Sequence, residues 1–68
     1  MILATGKILT RFYVIDNDHK TYTFCTLEPA LGWVSELVDI FDQDEKSITL
    51  FERKYDEFGN MISETIIF

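Results

Sequence analysis

The sequence predicts an α+β domain: a four-stranded antiparallel sheet, made of two hairpins, with one amphipathic helix packed on one face. Two pairs of segments rich in β-branched and aromatic residues are each joined by a short turn that contains aspartate. One segment between the pairs repeats its apolar residues with a helical period. The resulting order, ββαββ, fits a single domain over residues 1–68.

The first predicted hairpin joins strands over residues 7–15 and 20–26. The Asp16–His19 stretch between them contains Asp and Asn, which tolerate the backbone angles of tight turns. Alternation in the second strand puts Tyr22 and Phe24 on one face. We expect that face to meet the helix.

The predicted helix covers residues 29–43. Pro29 suits its first position, where the missing N–H leaves no hydrogen bond unmade. At 100° per residue, the centre of the apolar face consists of Ala30, Val34, Leu37 and Phe41.

The second predicted hairpin joins strands over residues 46–55 and 61–68. Gly59, fourth in the turn, predicts a type I turn followed by a left-handed residue. This turn would pair Tyr55 with Met61, and the register would then place Glu52 opposite Glu64. Like charges in that position destabilise a sheet. Either the two glutamates lie beyond the edge of the helix, or the register is wrong by one residue.

The face of the sheet away from the helix is expected to be unusually apolar. A solvent-facing side of an antiparallel sheet is normally polar. Scattered surface apolar residues are one interpretation, and a covered face is the other. The cover would be a second copy of the chain or another protein, and a homodimer is predicted. The residues of this predicted interface are Leu9, Tyr13, Ile15, Phe51, Tyr55 and Ile67.

Charge is distributed unevenly along the chain. The net charge is −6, and residues 21–45 hold six acids without any Lys or Arg, whereas the remainder holds six acids and six bases. A local acidic surface repels nucleic acid and attracts basic surfaces. We therefore expect no direct nucleic-acid binding.

Within this acidic segment, Glu36, Asp39 and Asp42 follow an i, i+3, i+6 spacing on the predicted helix. Neighbours at that spacing lie about 5–6 Å apart, comparable to phosphates along a DNA strand. Two interpretations stay open: a solvated face that aids solubility, and a phosphate-like surface for a basic protein groove. The residues predicted to contact a partner are Trp33, Glu36, Asp39, Ile40, Asp42, Asp44 and Glu45.

The residues do not predict an enzyme, a cofactor or a metal site. His19 and Cys25 are six positions apart along one hairpin, about 20 Å at ~3.3 Å per residue, too far for a catalytic dyad. Zinc needs more His or Cys than this chain has, and the acidic clusters lack the spacing of a calcium loop. A single cysteine and the lack of a long apolar run predict a cytoplasmic protein that does not enter membranes.

The chain resembles one known family. The pattern D-x-D-x-K-x-Y-x-F beginning at Asp16, the helix and the strand from Ser47 are similar to small acidic phage inhibitors of uracil-DNA glycosylase, over roughly residues 7–54. This resemblance implies a homodimer that mimics DNA and holds a protruding glycosylase side chain in an apolar pocket. It would act in the host cytoplasm. The strand over residues 61–68 has no counterpart in that family, and no pocket residue is assigned.

These observations predict a small acidic inhibitor or adaptor that binds another protein, at a basic surface made for nucleic acid. The alternative is a structural or assembly protein that acts through its apolar sheet face. The inhibitor or adaptor would bind through the acidic helix residues, and the structural protein would bind through the apolar sheet face.

Overall fold

The computed structural model describes residues 6–68 and confirms the predicted ββαββ architecture. All strand pairs are antiparallel, and the sheet order is β2-β1-β3-β4. A short 3-10 turn, Glu45–Ser47, precedes the third strand. The elements are β1 (Leu9–Ile15), β2 (Thr21–Phe24), α1 (Leu27–Asp39), β3 (Thr49–Tyr55) and β4 (Met61–Ile66).

The core lies between α1 and the sheet, and α1 packs chiefly on β1 and β2. Phe12 pairs with Phe24 and Val14 with Tyr22, so these four side chains share the helix side as predicted. The buried core consists of Phe12, Val14, Ala30, Val34, Leu37, Ile48 and Leu50. Because the only α-helix among residues 6–68 sits over β1 and β2, the outer strand β4 is left at the uncovered edge.

The two hairpin turns have the same construction. Asp16 O accepts the His19 N–H at 3.1 Å, and Asp56 O accepts the Gly59 N–H at 3.1 Å. The fourth residue of each turn is left-handed, with φ 64° at His19 and φ 85° at Gly59. The predicted turn at Gly59 is therefore confirmed. The first hairpin makes the same turn with a residue that has a Cβ.

Replacing His19 with glycine should stabilise the protein. A residue with a Cβ pays roughly 1–2 kcal/mol in the left-handed region, and glycine does not. Glycine also has more freedom in the unfolded chain, so a net gain of about 0.5–1 kcal/mol is expected. Thermal unfolding followed by circular dichroism measures it, with Gly59→His as the reciprocal change. An unchanged or lower melting temperature for His19→Gly would contradict this account of the turn.

The predicted helix boundaries, residues 29–43, are wrong at both ends. The helix begins at Leu27, so Pro29 is third in the helix. The N–H groups of the first four residues have no acceptor within a helix, so the N–H that proline lacks costs no hydrogen bond there. It ends at Asp39. Asp42 is left-handed, with φ 54°, and the Gln43 N–H donates to Leu37 O at 2.9 Å. The apolar period continues to Phe41, but the backbone has left the helix by that point.

The predicted register of the second hairpin is also wrong, by one residue. Tyr55 pairs with Met61 as expected, but Lys54 pairs with Ser63, so Ile62 has no opposite residue on β3. This bulge brings Glu64 opposite Arg53, where the Arg53 Nη2 and Glu64 Oε1 lie 3.4 Å apart. The clash of two glutamates is thereby replaced by an ion pair.

The same bulge changes which face each β4 side chain occupies. Phe51 pairs with Ile66, so Ile66 lies on the outer face of the sheet in the place that the predicted register gives to Thr65. Glu52 pairs with Thr65, so Thr65 lies on the helix side. Ile62, Ile66 and Phe68 are exposed.

Candidate protein-binding surfaces

The six acids of residues 21–45 remain on the surface, but they do not form one helical stripe. Glu36 and Asp39 lie on α1 and are exposed. Asp42, predicted to continue the stripe, lies in the exit loop because the helix ends at Asp39. Asp44 and Glu45 follow at the 3-10 turn. Five of the six carboxylates therefore follow one another from the helix into the segment after it, two on α1 and three beyond its end. Glu28 lies apart from them, in the first turn of α1.

The exit loop is held in place by the first hairpin. The Asp44 N–H donates to Asn17 Oδ1 at 2.7 Å, and Asn17 Nδ2 donates to Asp44 O at 3.1 Å. The Asn17 N–H also donates to Gln43 Oε1 at 3.0 Å. Asp44 Oδ1 accepts the Lys46 N–H at 3.0 Å and caps the 3-10 turn. Asp44, predicted as a partner contact, therefore has a structural role as well.

Carboxylates from the helix and the turn converge on one small groove. It has a volume of about 130 Å³ and is lined by Val34, Ser35, Val38, Asp39 and Glu45. Within residues 6–68, the ion pairs are Arg53–Glu64 and Lys54–Glu52, both on the sheet. The acidic surface, defined as Glu36, Asp39, Asp42, Asp44 and Glu45, therefore contains no ion pair within residues 6–68.

Trp33 and Ile40 were predicted as anchors at the border of the acidic surface, and they differ in the structure. Trp33 is half-buried, with its ring 5.0 Å from Tyr22 and 6.0 Å from Phe41, centroid to centroid. Its indole N–H is buried and has no hydrogen-bond partner among the described residues. Ile40 ends the helix and is 67% exposed. Ile40 is thus open to a partner, whereas Trp33 is part of the packing between α1 and β2.

The outer face of the sheet has an aromatic cluster that an arginine covers. The Tyr13 and Phe51 rings stack with centroids 5.2 Å apart, and the Arg53 Cζ lies 5.3 and 5.0 Å from these two centroids. Phe51 is 6% exposed although no helix lies on this side. Part of the predicted interface is therefore already buried by its own neighbours.

The two tyrosine hydroxyls of this cluster bond to each other. Tyr13 Oη and Tyr55 Oη lie 2.9 Å apart. This hydrogen bond raises the pKa of Tyr13 and lowers the pKa of Tyr55. Of the predicted interface residues, Leu9 is exposed and Tyr13, Ile15 and Tyr55 are half-buried.

Asp16 is a buried carboxylate that the sequence analysis treated as turn chemistry alone. Only 3% of it is exposed. Its Oδ1 accepts the backbone N–H groups of Asp18 and Lys20 at 2.9 Å, and its Oδ2 accepts the Tyr22 hydroxyl at 3.2 Å. Burial by itself raises the pKa of Asp16, but these hydrogen bonds outweigh it and hold the pKa below its usual value.

The lowered pKa predicts how stability depends on pH. The Asp16 carboxylate stabilises the fold above its unfolded pKa, and this contribution is lost as pH falls through its lower folded pKa, that is, below about pH 4. Asp16→Asn should lower the melting temperature at pH 7. The further decrease in melting temperature between pH 7 and pH 3 should be smaller for Asp16→Asn than for wild type. Asp18→Asn, which keeps the Asp16 carboxylate and its bonds, is the matched control. Parallel pH profiles for wild type and Asp16→Asn would contradict the assignment.

Residues 6–68 contain no group of three His, Cys, Asp or Glu side chains placed to hold a metal ion. None of the helices in that part of the chain is long and apolar enough to cross a membrane. A comparison with protein-family models, curated proteins and solved structures finds no match. The function must therefore be argued from the surfaces themselves.

Proposed function

We propose that this protein is a small acidic inhibitor or adaptor without catalytic activity, which binds another protein at a basic, nucleic-acid-binding surface. One observation carries the proposal: the carboxylates of the acidic surface are all exposed, and none forms an ion pair within residues 6–68. Charges that a fold needs for its own stability are normally paired or hydrogen-bonded. Apart from the capping role of Asp44, these carboxylates are available to a partner.

The position of these charges works against the helix that carries them. The last turn of α1 contains no basic residue, and Asp39 ends it. The negative end of the helix dipole disfavours an anion there by about 0.3–1 kcal/mol. An acid retained where it lowers stability supports a role in binding. It is consistent with a surface that imitates phosphates, because Asn17 of the first hairpin holds the exit loop, with its carboxylates, in a fixed position.

Uracil-DNA glycosylase is the first partner to test, because of the resemblance to its small acidic phage inhibitors. The protein would then act in the host cytoplasm and compete with DNA, and would not bind nucleic acid itself. The free, exposed Cys25 fits a reducing compartment. The Asp16–Phe24 pattern, which is part of the resemblance to these inhibitors, has a structural role in this chain. Its Asp16 and Tyr22 hold the first hairpin together.

The second candidate function is a structural or assembly subunit that acts through its sheet. A specific observation favours it: all six residues of β4 are exposed, and they include Met61, Ile62 and Ile66. Exposed apolar groups of this size mark interaction surfaces. The two functions are compatible, because β4 lies on the edge of the sheet beyond β3, and α1 packs on the other half.

Capture from cell lysate tests the proposed function. Immobilised protein should retain a nucleic-acid-binding protein that elutes as salt is raised, since exposed charges more than about 10 Å apart are screened at ~0.1 M. In parallel, uracil excision is assayed with and without a molar excess of the protein. Full excision activity rejects the glycosylase as partner. Capture that resists high salt, or capture only of proteins that do not bind nucleic acid, contradicts the wider proposal.

A further inference from the structure

Within residues 6–68, strand β4 is an edge strand with one side unpaired. It pairs with β3 and ends the sheet order β2-β1-β3-β4. An edge strand presents a row of free N–H and C=O groups, and natural proteins shield such edges with proline, lysine, inward charges or a covering element. Residues 61–66 contain no proline and no lysine, and their one charge, Glu64, is paired with Arg53.

The other edge of the sheet differs from β4. Strand β2 has only four residues, two of which are threonines, and Lys20 precedes it. Short length and a flanking lysine are devices that protect an edge. The chain thus has one protected edge and one edge that is open to pairing.

The open edge carries enough apolar surface for a small interface. Met61, Ile62, Ile66, Ile67 and Phe68 are each 40–70% exposed. In strand addition the main-chain hydrogen bonds supply the affinity, and exposed apolar side chains such as these add contacts with the partner strand.

The register within the molecule restricts how a second β4 can pair. Two antiparallel copies in one continuous sheet are related by a two-fold axis perpendicular to the sheet, so opposed residues must lie on the same face. Thr65 is on the helix side, while Glu64 and Ile66 are on the outer face. The axis must therefore lie midway between one residue of β4 and the same residue of the second copy. The candidates for this residue in the regular part of β4 are 63, 64, 65 and 66.

Charge and strand length select among these registers. An axis at Glu64 would oppose the two Glu64 carboxylates, which destabilises a sheet. An axis at Ser63 would extend the ladder into the irregularity at Ile62 and the Gly59 turn, and an axis at Ile66 would leave only two residues beyond it. An axis at Thr65 opposes Thr65 with Thr65 and Glu64 with Ile66, and it brings no like charges together.

We propose that the protein forms a homodimer in which β4 pairs with β4 of a second copy about a two-fold axis at Thr65. The two sheets then become one eight-stranded sheet. Both helices lie on the same side of it, because the axis is perpendicular to the sheet. The outer strands of the combined sheet are the two protected β2 strands, so assembly stops at two copies. Glu36 and Asp39 lie on α1, which packs on β1 and β2 away from this interface. Asp44 and Glu45 line a cavity together with Phe68 and so lie near the end of the β4 ladder.

Disulfide cross-linking tests this register. In a Cys25→Ser background, Thr65→Cys should give a covalent dimer under mild oxidation, because directly opposed Cα atoms lie about 4.5–5.5 Å apart. Ser63→Cys is the matched control, because residue 63 lies on the same face of β4 as Thr65 and the change keeps Glu64. Its two copies would be roughly 14 Å apart, from ~3.3 Å per residue and ~4.8 Å between strands, beyond the reach of a disulfide. Cross-linking of Ser63→Cys as fast as Thr65→Cys overturns the proposal.

Sedimentation of a second pair of variants tests the edge without cysteine chemistry. Ile66→Lys should shift the protein from about twice the monomer mass to the monomer mass. Ile40→Lys introduces the same change at a residue of similar exposure, 67% against 70%, and should leave the dimer intact. A wild-type monomer, or a dimer unaffected by Ile66→Lys, overturns the proposal. If Ile66→Lys does not fold, the cross-linking result alone decides.

This inference does not depend on the proposed function. Capture of a basic partner uses the acidic surface, and cross-linking uses β4, so each can fail while the other holds. A monomer that still binds its partner in a salt-dependent way rejects only the dimer. A cross-linked dimer that captures nothing in a salt-dependent way rejects only the function.

Discussion

Leu50→Ala is expected to leave most of the protein unfolded at 25 °C. Leu50 is the second residue of β3, is 0% exposed, and belongs to the cluster that includes Val14 and Leu37. Removing a buried leucine side chain costs about 2–5 kcal/mol, because transfer energy is lost and a cavity remains. A single core in a chain this small supplies little more than about 3–5 kcal/mol in total. The loss is therefore comparable to the whole stability of the fold.

Leu31→Ala is the matched control for this change. Leu31 is on α1 and is 40% exposed, so the same deletion removes little buried surface. Urea unfolding followed by circular dichroism should place the Leu31→Ala midpoint close to that of wild type. Equal destabilisation by the two substitutions would show that the core is not centred between α1 and the sheet. The comparison is made at one protein concentration, since dimerisation adds to apparent stability.

Reversing charge on the acidic surface is expected to have the largest effect on binding. Glu36→Lys with Asp39→Lys should slow association with the captured partner by at least about tenfold, because exposed charges act mainly through electrostatic steering. Both positions are exposed on α1, so the fold should be kept. Surface plasmon resonance at two salt concentrations measures the rate. The difference between wild type and variant should shrink as salt rises.

A control for this variant changes charge elsewhere. Asp39→Lys and Glu57→Lys alter the net charge equally, but Glu57 is in the turn of the second hairpin. If the acidic surface is the binding site, Asp39→Lys should slow association much more than Glu57→Lys. Equal effects of the two substitutions would mean that the overall charge of the molecule matters and the position does not. If Glu57→Lys slows association and Asp39→Lys does not, the binding site is at the sheet and not at the acidic surface.

Local patterns predicted the elements and the inner face of the first hairpin. Alternation in β1 and β2 placed Phe12, Val14, Tyr22 and Phe24 on one side, and the structure confirms this. The turn at Gly59 was predictable because a left-handed position strongly favours glycine. The identical turn at His19 was harder to foresee, since its left-handed residue has a Cβ and positive φ is uncommon for residues other than glycine.

The errors arose where distant parts of the chain decide the local structure. The helix was predicted to continue to residue 43 because Phe41 keeps the apolar period, but Asn17 binds Gln43 and Asp44 and draws them out of the helix. That competition comes from another element, so no local pattern records it. The bulge at Ile62 shifted the face of every later β4 residue. The predicted opposition of Glu52 and Glu64 was the one signal of this shift in the sequence.

Competition with nucleic acid tests the central claim most directly. The captured partner is bound to its own labelled DNA or RNA, and this protein is added while fluorescence anisotropy reports the nucleic acid that stays bound. If the acidic surface occupies the same groove, the nucleic acid should be released in proportion to the protein added, and Glu36→Lys with Asp39→Lys should release much less. Formation of a complex that holds both the nucleic acid and this protein, with neither affinity changed, would contradict the claim.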